Sequence, residues 1–262
     1  MTSSFRWGAV TEIQRGGYVM NYQIISEQAI LVRFESRIDP KTFKKVQQLV
    51  VYLERLAHDA INEIVPSYRA VMIHFDDRKT DAKSLIEDLK LDTLDISDIE
   101  TSESSKVVRI PVIYGGKYGP DLEEVAKHNN LSVEEVIQLH TAPTYLIYML
   151  GFMPGFPYLG GLDERLYTPR RDEPRVRIDA GSVGIAKNQT GLYPKDSPGG
   201  WQIIGRTPLD VFDLDREPMT LYEAGDNIQF YQISQETYDE IIEQKYDPDF
   251  DIERWVTIQD EH

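Results

Sequence analysis

The chain contains no cysteine. That removes disulfides, thiol nucleophiles and thiolate metal sites from its chemistry, and it fits a reducing compartment. Histidine is also scarce: the five present are scattered, so no metal site is expected. No apolar run is long enough to cross a bilayer, and the first 19 residues lack the apolar centre of a signal peptide. Basic charge is in deficit, with 28 Lys and Arg against 44 Asp and Glu and a net charge of −16. Nucleic acid and anionic membranes need a basic footprint, so neither is expected as a partner; an acidic surface that keeps a cytoplasmic protein soluble is the simpler reading. Missing too are the phosphate loop Gly-x-x-x-x-Gly-Lys-Ser/Thr, the dinucleotide Gly-x-Gly-x-x-Gly, His-Glu-x-x-His and the Gly-x-Ser-x-Gly elbow. Their absence argues against a self-contained ATPase, metalloprotease or serine hydrolase.

What the chain has in abundance is glycine, proline and aromatic residues between Tyr145 and Pro208. Three segments carry them: Leu150-Gly-Phe-Met-Pro-Gly-Phe-Pro-Tyr-Leu-Gly-Gly161, Ala180-Gly-Ser-Val-Gly-Ile-Ala-Lys-Asn-Gln-Thr-Gly191 and Ser197-Pro-Gly-Gly-Trp-Gln-Ile-Ile-Gly-Arg-Thr-Pro208. Glycine allows positive φ and close backbone approach, whereas proline fixes φ and removes a donor. Their repeated use between short apolar strands predicts tight loops on a β scaffold, where binding groups usually sit.

Periodicity divides the rest. Residues 1–19 read as an irregular extension, with Met20 as the natural start. Residues 20–95 read as a small α+β domain. Strands are expected at Tyr22–Ile25 and Ile30–Phe34, and a helix from the cap Asp39 and Pro40, with Phe43, Val46, Val50, Leu53, Ala57 and Ala60 along one face. Further strands over 64–75 and a helix from Thr80 or Asp81 complete a β-β-α-β-β-α order. Residues 96–106 have the acidic, serine-rich composition of a linker. Residues 107–262 open with a strand, pass through two short helices, the second with the capping box Ser132/Glu135, and continue as short strands with Gly/Pro turns. That pattern suits a closed barrel, although periodicity alone does not choose between barrel and sandwich.

The three glycine-rich segments, in this order, resemble the family of the 5-oxoprolinase B-subunit, also described as sporulation-kinase inhibitors or allophanate hydrolase subunit 1. The resemblance runs from about Met20 to the C-terminus. The family pattern reads Pro where this chain has Asp179, and often a small residue where it has Lys187. The resemblance implies a cyclophilin-like β-barrel for residues 107–262. It also implies membership of an ATP-dependent 5-oxoprolinase that opens 5-oxo-L-proline to L-glutamate, using ATP with Mg. Its implied partners are an A-type protein and a homologous C-type barrel protein, and the chain alone should be inactive. Two alternatives stay open: a non-enzymatic inhibitor of a sporulation histidine kinase, and a component of an allophanate hydrolase or urea carboxylase.

Against that background the candidate site residues fall into groups. His140 ends a helix just before the first segment, where it can move a proton near neutral pH or simply cap the helix. Arg206 and Lys187 can bind a carboxylate or phosphate, or be surface cations. His140 and Arg206 are the catalytic candidates. Gln189, Thr190 and Ser197 can hold a polar amide such as a lactam, or satisfy turn backbone. Phe156, Tyr158 and Trp201 are expected to form an apolar wall facing a ligand, a partner protein or the barrel interior.

Overall fold

Asp39 accepts a hydrogen bond from the Thr42 N–H at 2.9 Å and Pro40 occupies the first helical turn, so a helix starts there as its sequence dictates. The computed structural model describes residues 10–15, 18–35, 39–101, 106–247 and 249–258. They divide between two compact units, Met1–Ser102 and Glu103–His262.

The first unit runs β1 (Val10–Arg15), β2 (Tyr18–Ser26), β3 (Ala29–Arg33), α1 (Pro40–Leu56), β4 (Ile61–Pro66), β5 (Ala70–Phe75) and α2 (Ala82–Asp88). The strands form one antiparallel sheet in the order β1-β2-β3-β5-β4. Alternate residues Met20, Ile30, Val32, Val71, Ile73 and Phe75 are buried with Val46, Leu49 and Leu53 of α1 and Leu85 of α2, the pattern of a sheet covered by helices. Three expectations need correction. Residues 1–19 are not irregular throughout: Val10–Arg15 is a strand paired with β2, and β2 begins at Tyr18, ahead of Met20. Residues 1–9, 16 and 17 lie outside the described residues. The face of α1 does not continue to Ala60, because Ala57 turns left-handed at φ 46° and ends the helix. The linker composition conceals packed residues: Ile96 is fully buried, and the Ser97 and Ile99 carbonyls accept from Gln48 Nε2. Residues 102–105 lie outside the described residues.

The second unit runs β6 (Lys106–Tyr114), α3 (Leu122–His128), α4 (Val133–Thr141), β7 (Tyr145–Leu150), β8 (Pro157–Gly160), β9 (Arg175–Ile178), β10 (Ser182–Ala186), β11 (Gln189–Leu192), β12 (Ser197–Gly199), β13 (Gln202–Arg206), β14 (Asn227–Gln232), α5 (Gln235–Gln244) and β15 (Val256–Ile258). Strands in the order β13-β10-β11-β8-β7-β14-β6 close on themselves through β13 and β6, giving a seven-stranded barrel with β15 added beside β6. The closed barrel is the fold expected from the sequence. One pair, β6–β14, is parallel, with Val107 opposite Asn227. Barrel closure requires glycine at 205, since a Cβ there would stand 2.7 Å from the Ile113 carbonyl oxygen. Val108, Ile110, Ile147, Val183, Ile185, Ile204, Ile228 and Phe230 fill the interior. β9 and β12 form a separate ribbon. No helix among the described residues is long and apolar enough to cross a membrane.

Candidate functional site

His140 lies on the last turn of α4 and is fully buried, stacked on Phe230 at 4.8 Å. Both ring nitrogens are engaged: Nδ1 with the Tyr114 hydroxyl and Nε2 with Thr190 Oγ1, each at 2.8 Å. The direction of this chain can be worked out from its end. Thr190 also reaches the Gly184 carbonyl at 3.1 Å, and a carbonyl only accepts, so the Thr190 hydroxyl must donate there. His140 Nε2–H therefore donates to Thr190, and Nδ1 accepts from Tyr114 O–H. Burial pushes the imidazole pKa from 6.5 down to about 3, so the ring is neutral at physiological pH. Burial likewise raises the Tyr114 phenol well above its ordinary value. A ring so enclosed does not meet a substrate. His140 and Thr190, expected at a catalytic centre and a binding surface, are brought together as a core brace between α4, β6 and β11.

The apolar wall exists. Phe156 packs edge-on against Tyr158, Tyr193 and Trp201 at centroid distances of 5.1, 5.2 and 5.5 Å. Phe156 and Trp201 are buried and Tyr158 is half-buried. Phe152 continues the cluster outward, 62% exposed and 5.6 Å from Phe156, with its backbone at φ 66°. Phe156 and Trp201 do not join the barrel core: with Ile178, Ala186, Tyr193 and Ile203 they form a separate buried cluster, and Phe152 marks where it reaches the surface.

Arg206 is held in place by its neighbours, whereas Lys187 is a surface cation. Arg206 donates from Nε to the Ala180 carbonyl at 2.8 Å and pairs with Asp179 at 3.2 Å. Asp179 is the residue that stands where the family pattern has proline, so this ion pair follows from the departure. Lys187 is exposed and sits at the β10–β11 turn with φ 56°, a backbone conformation that suits the small residue usual in the family. Its N–H and carbonyl bridge to Thr168. Gln189 is half-buried at the start of β11, and buried Ser197 contacts the Pro198 carbonyl at 3.2 Å within β12.

A cleft of 460 Å³ does lie beside them. It is lined by Glu124, His128, the segment Thr168 to Glu173, and Gln202. Its Arg171 is held by Asp121, the residue ahead of α3, whose carboxylate does not cap that helix. Instead it accepts from Arg171 at 3.0 Å, from both terminal nitrogens of Arg175 at 2.8 and 2.7 Å, and from the Ile203 N–H at 2.6 Å. A buried carboxylate needs that many donors. The second and third glycine-rich segments border the cleft through the Lys187–Thr168 bridge and through the Arg171 N–H, which donates to the Gly200 carbonyl. Arg170 stands 5.8 Å from the Trp201 ring. Asp121, Arg171 and Gln202 were not singled out from the sequence. The available signal was the cluster Arg170, Arg171, Arg175 and Arg177 in an otherwise acidic chain.

Comparison with known proteins agrees with this architecture. Residues 20–222 match the family described as Carboxyltransferase domain, subdomain C and D. The 5-oxoprolinase B-subunit of Bacillus subtilis (strain 168) is 41% identical over 230 residues, covering 84% of this chain and 96% of the relative. That of Haemophilus influenzae is 42% identical over 214 residues, covering 80% and 97%. The crystal structure of TTHA0988 superimposes with a TM-score of 0.70 at 34% identity; it matches 80% of this chain, which spans only 40% of that longer protein. The Kluyveromyces lactis urea amidolyase shares the fold, with a TM-score of 0.72 at 23% identity over 90% of this chain and 16% of its own. On the strength of the match over residues 20–222 and of relatives aligned over nearly their whole length, the chain belongs to the 5-oxoprolinase B-subunit family.

Proposed function

We propose that this chain is the B component of a cytoplasmic, ATP-dependent 5-oxoprolinase, which opens the lactam of 5-oxo-L-proline to give L-glutamate. Two partners are required, an A-type protein and a homologous C-type barrel protein. The observation that carries the reading is the 41% identity over 96% of a relative named as the B-subunit of 5-oxoprolinase. The geometry supports dependence on partners. Neither residue first considered catalytic is free: His140 is enclosed and neutral, and Arg206 is paired with Asp179. Hydrolysis of an amide needs donors aimed at developing negative charge and a positioned water, and an incomplete set on one chain is completed by another.

Nothing on this chain marks out a self-contained Mg–ATP site. The chain has no phosphate loop, and among the described residues no group of three or more His, Asp or Glu could hold a metal ion. Nucleotide binding is therefore assigned to the assembled complex rather than to named residues here. The test is glutamate release from 5-oxo-L-proline and MgATP by this chain with its cognate A-type and C-type partners, omitting each in turn. Release that vanishes without this chain is the expected result. No release from a complex shown to assemble would overturn the reading and turn attention to histidine-kinase binding.

A further inference from the structure

Residues 169–174 cross the barrel surface as a strap between two fixed points. Before it, the Thr168 and Lys187 backbones exchange hydrogen bonds. After it, Arg175 starts β9 and donates from both terminal nitrogens to Asp121. Between these points the strap lies over Gly200, Trp201 and Gln202 of the third glycine-rich segment. The Pro169 carbonyl accepts from Gln202 Nε2 at 3.1 Å, the Arg171 N–H donates to the Gly200 carbonyl at 2.8 Å, and Arg171 Nη1 donates to Asp121 at 3.0 Å. Arg170 rests 5.8 Å from the Trp201 ring. Pro169, Arg170, Asp172, Glu173 and Pro174 are exposed, whereas Gly200, Trp201 and Gln202 are buried. Each side of this contact carries a buried polar atom without a hydrogen-bond partner: Arg171 Nε on the strap and Gln202 Oε1 on the segment beneath it. The Gln202 amide cannot flip to cure this, because its oxygen would then face the Pro169 carbonyl. Native structures leave few such atoms, and those they leave call for a reason.

We infer that residues 169–174 form a lid, closed in this structure, that opens locally to uncover Gly200 and the Trp201 ring. Closure keeps Arg171 Nε and Gln202 Oε1 from water, and opening hydrates both, which offsets the loss of the hydrogen bonds that hold the strap down. Asp121 is not stranded when Arg171 leaves, since Arg175 and the Ile203 N–H still hold its carboxylate. The buried charge therefore stays paired in both states, and Asp121 is a fixed anchor instead of a moving part. Among the described residues, none of 169–174 belongs to the barrel core or to the cluster of Phe156 and Trp201, so opening takes no strap side chain out of an apolar interior. The opposing cost is exposure of the apolar face of Trp201, which makes the closed form the major one. Every group named belongs to this chain, so opening requires no partner.

Because the chain has no cysteine, one introduced thiol reports on the lid without background. Gly200→Cys is the reporter: a Cβ there would lie 3.7 Å from both the Arg171 carbonyl oxygen and Pro174 Cγ, ordinary contacts with the strap itself. Labelling of the full-length Gly200→Cys chain by a thiol reagent, in low concentrations of urea, is compared with that of an Ile204→Cys chain, whose thiol would sit in the barrel core. The Gly200→Cys chain should label at least about a hundredfold faster, at a rate independent of urea below the unfolding transition, because a local opening exposes little surface. Labelling as slow and as urea-dependent as in the core variant would show that the lid does not open. Labelling at the rate of an unprotected thiol would show that it does not cover Gly200. Either result overturns the inference. Should a variant fail to fold, amide hydrogen exchange of the unmodified chain decides. Protection of the Arg171 N–H, which bonds across the lid contact, should be at least about tenfold lower than that of the Ile203 N–H, which Asp121 keeps, and should not vary with urea. Equal protection of the two amides would sink the lid.

Discussion

The two units bury different things. In the first, the buried polar residues among those described are Thr42 and Gln48; in the second they are Asp121, His140, Thr168, Ser182, Thr190, Ser197, Gln202, Thr207 and Asp226. Both units have aliphatic cores. Burying polarity costs free energy unless every group is paired, so its concentration in the barrel unit identifies where this chain trades stability for specific geometry. The first unit behaves as a hydrophobically driven sandwich of helices on a sheet. The second is held in register by named hydrogen bonds.

The strongest way to break this contrast is at Asp121. Asp121→Ala should destabilise the second unit by about 3 kcal/mol, because it strands Arg171, Arg175 and the Ile203 N–H, and chemical denaturation would measure it. A loss below about 1 kcal/mol would mean that solvent replaces the carboxylate and that the hub is dispensable. Next comes pH. His140 has a folded pKa of about 3 against an ordinary 6.5, so the unfolded chain takes up the proton first as pH falls. The stability due to keeping the ring neutral is complete above pH 6.5 and is lost between there and about 3, at about 1.4 kcal/mol per pH unit. The stability difference between wild type and His140→Gln, followed by urea unfolding, should be constant above pH 6.5 and shrink toward that slope below it. A pH-independent difference would show that the ring is accessible.

In the first unit the corresponding effects should be smaller. Asp39→Ala removes the cap of α1 and should cost about 1 kcal/mol in thermal or urea unfolding. Smallest of all, Phe152→Ala should change stability by no more than about 0.5 kcal/mol, since the ring is 62% exposed. A large loss there would place Phe152 among the core aromatics instead of at their edge.

How much was legible follows the same division. Asp39-Pro40, the alternation Val71, Ile73, Phe75 and the inward set Leu85, Ile86, Leu89 are local signals, and the first unit obeys them. In the barrel, β10 and β13 lie within the second and third glycine-rich segments, where Gly and Pro punctuate short strands as expected. The site was less readable. Tyr114, His140 and Thr190 are distant in sequence and meet only through barrel closure, so His140 looked like an available base when it is a sealed brace. Asp121 gave no local sign of its role, because the arginines that claim its carboxylate, Arg171 and Arg175, lie 50 and 54 residues away. Ile96 was hidden by acidic and serine neighbours, since composition averages away a single buried side chain.

The pairing of β6 with β14 has a consequence for how the protein is made. Val107 must wait for Asn227 before its parallel partner exists; β13, which also pairs with β6, is made only shortly before β14, and β15 after it. On a ribosome the first unit can be complete while β6 still presents unpaired backbone, through the synthesis of nearly the whole barrel. Long-range pairing of this kind is slow and exposes a strand edge, so chain growth past β14 is the step at which this protein is most open to misassembly.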